Sequence, residues 1–138
     1  MKLKNVLAVV SMILVIVGFA AAQEDSTPKI KLRSGVTVSG VVGGEGHISY
    51  VIRVRRGQTI DLRISRRVPK GGNFNLTVSR NANFFNAEQV KFGKETSGRK
   101  QLRWTGKAPA SGNYYFYLTG FAPNAPNAIS YRLTATVR

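Results

Sequence analysis

The chain has 138 residues with no cysteine and one histidine, which leaves disulfides, thiol chemistry and a zinc centre without their side chains. Lys and Arg number 21 against 6 Asp and Glu, a formal charge of +15, which favours polyanions as partners.

Met1-Lys-Leu-Lys opens the chain, an apolar run follows from Val6 to Phe19, and Ala20-Ala21-Ala22 precedes Gln23-Glu24-Asp25. This pattern predicts a secretory signal peptide over residues 1–22, with no transmembrane span after its cleavage and a secreted or periplasmic product. No Cys follows the small residues, so a lipid-anchored start is excluded. Residues 23–34 read as a leader with a possible first short strand, disordered over 23–28, and residues 35–138 as one domain.

From there, strand signals recur every eight to twelve residues between clusters of Gly, Pro, Asn and Ser, and no helical period is sustained. The expected strands are 29–32, 36–42, 47–55, 59–65, 73–78, 88–92, 101–105, 114–119 and 130–137. They predict an all-β fold, a single antiparallel, jelly-roll-like β-sandwich. Inward rows are Ile48, Tyr50, Ile52 and Val54; Ile60, Leu62 and Ile64; Phe74, Leu76 and Val78; Leu102 and Trp104; Tyr114, Phe116 and Leu118; and Tyr131, Leu133, Ala135 and Val137. The pattern is weakest over 81–98.

Residues 48–64 read as a β-hairpin about Arg56-Gly57-Gln58, pairing Tyr50 with Ile64, Ile52 with Leu62 and Val54 with Ile60. Arg53 then lies opposite Asp61 with Arg55 and Arg63 on the diagonals, one carboxylate shared by three guanidinium groups. The following loop, Ser65 to Gly72, adds Arg66, Arg67 and Lys70. Together these cations predict a basic stripe about 20 Å long, not a pocket.

Enzymatic chemistry finds little support. His47, Asp61 and a serine make a triad only on paper, and Glu45, Asp61, Glu88 and Glu95 are too scattered for glycosidic hydrolysis. No acidic cluster suggests a metal, no cofactor is implied, and export argues against intracellular nucleic acid. Asn75-Leu76-Thr77 is a formal glycosylation sequon. Ala122-Pro123-Asn124 repeats as Ala125-Pro126-Asn127, a stiff, uncharged loop before the last strand.

Two families share these features. Ser39-Gly40-Val41, Tyr50-Val51-Ile52-Arg53, Val54-Arg55-Arg56-Gly57-Gln58-Thr59 and Asn73-Phe74-Asn75-Leu76 resemble the bacterial inhibitors of g-type lysozyme. Trp104-Thr105-Gly106-Lys107-Ala108-Pro109-Ala110-Ser111-Gly112-Asn113-Tyr114-Tyr115-Phe116 is similar to the bacterial pre-peptidase C-terminal domain, a sandwich usually appended to secreted proteases. Both resemblances imply a β-sandwich and a non-enzymatic, exported binding protein.

The first implies insertion of end loops into a lysozyme cleft, with Tyr117, Phe121, Asn124 and Asn127 as the contact. In that family the last long loop is usually rich in arginine, whereas here Gly120 to Ala128 holds no charge. The second implies a module for an anionic cell-envelope polymer, acting through Arg53, Arg55, Arg56, Arg63, Arg66, Arg67 and Lys70.

Overall fold

Alternation of apolar and polar side chains becomes nine strands among the described residues of the computed structural model, which are 24–124 and 128–138. They are β1 (Lys29–Lys31), β2 (Thr37–Gly43), β3 (Ile48–Val54), β4 (Thr59–Arg66), β5 (Asn73–Ser79), β6 (Lys94–Ser97), β7 (Gln101–Lys107), β8 (Gly112–Phe121) and β9 (Ala128–Val137). A single 3-10 turn covers Phe84–Asn86. The signal peptide expected over 1–22 lies outside the described residues.

A four-stranded sheet, ordered β1-β3-β8-β5, packs on a five-stranded sheet, ordered β2-β9-β4-β7-β6. Every pairing is antiparallel except that of β1 with β3. The expected sandwich is thus the observed one, and its inward rows fill the core. Ile60, Leu62, Leu118, Leu133, Tyr114 and Phe116 are wholly buried, each worth about 1.5–3 kcal/mol in transfer from water.

The hairpin over 48–64 does not form. Gln58 N–H donates to the Arg55 carbonyl at 3.0 Å in a tight turn, with Gly57 at φ +89°, but that turn carries the chain from one sheet to the other. β3 pairs with β8, placing Tyr50 beside Phe116, and β4 pairs with β7 and β9, placing Leu62 beside Trp104 and Ala135. The two inward rows face each other through the core, an arrangement that satisfies period-2 burial as well as side-by-side pairing would.

Residues 88–92 form no strand; the strand lies later, at Lys94–Ser97. Instead Val90 N–H reaches the Val78 carbonyl at 2.8 Å and the Gln89 side chain accepts from Val78 N–H at 3.0 Å, covering the open edge of β5. Phe92 then turns inward, edge-on to Trp104 and Tyr114 with centroids 5.7 and 6.0 Å away.

The segment expected to be a disordered leader is tied down. The Asp25 carboxylate accepts from Thr27 N–H, Phe84 N–H and the Lys29 ammonium at 3.0–3.2 Å, and His47 Nε2 lies 3.1 Å from its other contact oxygen. His47 stacks on Phe84 with centroids 3.9 Å apart, and both rings close over Tyr117.

Candidate functional site

The ends of β2, β4 and β8 and the starts of β5, β7 and β9 meet at one end of the sandwich. Gly43 pairs with Ala128, Asn73 with Phe121, Ser65 with Gln101 and Arg66 with Tyr131. The segments beyond these strands, 67–72, 98–100 and the described residues 122–124, are therefore neighbours.

Arg66 builds this end from within. It stands on the inward row of β4, 7% exposed, and its Nη1 and Nη2 donate to the Gly98 carbonyl at 2.8 Å and to Ser97 Oγ at 2.9 Å. Its guanidinium also lies 5.6 Å over the Phe74 ring. Burial pulls its pKa down, with Glu95 opposing. Arg66 clamps the 97–100 turn to β4 and is not a surface contact, contrary to its place in the expected stripe.

Between loop and turn opens a cavity of about 560 Å³ lined by Arg66, Arg67, Val68, Pro69, Lys70, Gly98, Arg99 and Lys100. A second groove of about 670 Å³ shares Arg66, Arg67 and Lys100 with it. That groove runs onto the outer face of the five-stranded sheet past Ser39, Val41, Ser65, Ser130 and Arg132. No carboxylate lines either space. Gly71, at φ +79°, faces Pro123, so the cationic loop packs directly against the described start of the uncharged loop that follows β8.

The expected basic stripe is divided by the topology. Arg53 lies on the outer face of the four-stranded sheet, and Arg55 and Arg56 lie at the opposite end of the molecule, where Arg56 N–H bonds Ser111 Oγ at 2.8 Å. Arg63 lies on the other outer face, and Arg67 and Lys70 beside the cavity. Asp61 does gather three guanidinium groups, but they belong to Arg103 at 3.1 Å, Arg138 at 3.1 Å and Arg63 at 3.4 Å. Burial raises the Asp61 pKa, and Arg103 and Arg63 more than reverse that, holding the carboxyl below its usual range.

Of the loop residues, Phe121 is 43% exposed, Asn124 is exposed, and Asn127 lies outside the described residues. Tyr117 is 1% exposed beneath His47 and Phe84, with its hydroxyl donating to the Asn81 carbonyl at 2.5 Å. Burial, then the Asp25 and Tyr115 charges, push its pKa up. It offers no surface to a partner. Its side chain faces outward from β8, which sequence alternation shows, but the cover laid over it by residues 24–28 and 81–86 has no periodic signal.

Asp25, and not Asp61, is the carboxylate at His47. Ser49, two residues on, is buried with its Oγ lacking a hydrogen-bond partner, so no hydroxyl is joined to the imidazole. Among the described residues, no three His, Asp or Glu come together as a metal would need.

No protein-family model matches this chain, and no curated protein matches it in sequence. Solved structures do. The pre-peptidase C-terminal domain of a collagenase from Bacillus anthracis superposes with a TM-score of 0.60 at 16% identity, over 83% of this chain and 100% of that domain. PliG from Aeromonas hydrophila, a periplasmic lysozyme inhibitor of g-type lysozyme, superposes with a TM-score of 0.59 at 21% identity, over 80% of this chain and 96% of PliG. The fold is theirs. At these identities the likeness is one of architecture, and it reaches both families suggested by the sequence motifs.

Proposed function

We infer that this protein is an exported, non-enzymatic binding module that uses the loops at one end of its sandwich, and that its partner is the acidic cleft of a g-type lysozyme. The supporting observation is the close approach of Gly71 to Pro123 and of Gly72 to the Phe121 carbonyl, which sets loop 67–72 against the end of β8. The cations that the inhibitor family usually carries on its last long loop are here supplied from next door, by Arg67 and Lys70, with Arg99 and Lys100 across the cavity. Exposed Phe121 beside them adds an apolar anchor of the kind that dominates protein interfaces. The superposition spans 96% of PliG, so the likeness takes in the end loops as well as the sheets.

The test is lysozyme activity titrated with purified protein at low and moderate salt, using a g-type enzyme with a c-type enzyme as control. Selective, stoichiometric inhibition that persists at moderate salt is expected, weakened in Phe121→Ala and in Lys70→Ser/Arg99→Ser. Absence of inhibition, or loss of both activities that vanishes with salt, overturns the inhibitor assignment and leaves an anionic polymer as the partner.

A further inference from the structure

We propose that the outer face of the five-stranded sheet, from the groove at Arg67 and Arg132 to Arg103, binds a linear polyol-phosphate chain of the cell envelope. The register lays out the cations. Arg132 pairs with Ser65, and Arg63 pairs with both Thr134 and Arg103, so Arg132 is diagonal to Arg63. Arg66 pairs with Tyr131, which brings Arg67 beyond it to the level of Ser130, diagonal to Arg132 on the other side. Diagonal neighbours on a sheet face are about 7–8 Å apart, and the directly opposed Arg63 and Arg103 about 5 Å. The result is a track from Arg67 through Arg132 and Arg63 to Arg103, with Lys100 beside its start.

Among the described residues, Arg67, Lys100 and Arg132 make no ion pair, whereas Arg63 and Arg103 share the one carboxylate of Asp61. Positive charge therefore exceeds negative along the whole track. Hydroxyls of Ser65 and Ser130 lie in the gaps as further donors, while that of Thr134 is bonded to Thr37 at 2.6 Å. Guanidinium forks match phosphate oxygens two at a time.

Two features favour a polyol backbone over other phosphodiesters. The track's outward positions carry no aromatic ring, and Tyr131 below them is 2% exposed, so bases would find nothing to stack on. The unequal steps require a chain that can bend at each repeat. The track adjoins the end loops at Arg67 and Lys100, which line both spaces, but Arg132, Arg63 and Arg103 lie outside the cavity and the proposal does not rest on the lysozyme assignment.

The probe is a glycerol-phosphate oligomer of defined length, with oligothymidylate and a heparin fragment of equal charge as comparators, followed by fluorescence anisotropy across a salt series. Arg67→Ser/Arg132→Ser, at exposed positions without ion pairs, should weaken binding about tenfold and lower the log–log salt slope by about 1–2. Arg53→Ser/Arg55→Ser makes the same charge change on the other side of the molecule and should cost less than about twofold. Equal losses in the two double variants mean attraction by bulk charge and overturn the proposal. So do tighter binding of oligothymidylate or heparin than of the glycerol-phosphate oligomer, and absence of binding at low salt. Circular dichroism of each variant separates lost contact from lost fold.

Discussion

Tyr50 and Tyr131 meet hydroxyl to hydroxyl at 2.5 Å in the buried space between the sheets, one ring from each. Removing one hydroxyl leaves the other buried without a partner, so Tyr131→Phe should cost about 1–3 kcal/mol in a urea titration. Tyr50→Phe/Tyr131→Phe removes both and should recover most of that loss. A double variant as weak as the sum of the singles would mean that the pair contributes no coupling.

The same phenol needs room. A Cβ at Gly40 would overlap the Tyr131 hydroxyl, and one at Gly106 would lie 2.6 Å from Trp104 Cη2. Gly40→Ala and Gly106→Ala should each destabilise by about 1–3 kcal/mol through overpacking. The second should also shift the tryptophan emission, which Gly40→Ala leaves unchanged.

Acid should loosen the N-terminal tie before it unfolds the core. Burial pushes the Asp25 carboxyl up, and the amides of Phe84 and Thr27 with Lys29 more than reverse this, bringing it to about 2. With a folded value below the unfolded one of about 3.9, the stabilisation is complete above about pH 4 and is lost as pH falls toward 2. The contribution is on the order of 2 kcal/mol. Asp25→Asn should therefore be less stable than the parent at pH 6 and converge with it near pH 2, as read from urea midpoints at stepped pH.

Asp61→Asn should separate stability from binding. It leaves Arg63, Arg103 and Arg138 facing one another without their carboxylate, at a cost of about 1–3 kcal/mol in thermal or urea unfolding. The same change removes the one negative charge from the polymer track, so affinity for the glycerol-phosphate oligomer should rise severalfold. A fall in both would place Asp61 in the contact itself.

The inward rows were legible because period-2 alternation depends only on which face is buried, and Ile60, Leu62 and Ile64 are buried whichever strand lies beside them. Pairing was not legible for the opposite reason. A turn at Arg55–Gln58 serves a hairpin and a crossing between sheets alike, and the choice rests on β7, β8 and β9 competing for the edges of β3 and β4. The candidate site inherited that error. Arg67 and Lys70 were visible as a charged loop, whereas Arg99, Lys100, Arg103 and Arg132 join them only once the register is known. Asp25 was hidden in a polar leader, because hydrogen bonding of one carboxylate by a distant amide leaves no local pattern.

β9 lies between β2 and β4, paired with β2 over residues 128–134 and with β4 over residues 131–137. β9 thus joins β2 to the rest of the larger sheet, and without it β2 and β4 have no common neighbour. Nearly all pairing is between strands remote in sequence, so folding should be slow and late, on the millisecond-to-second scale of high-contact-order β-proteins.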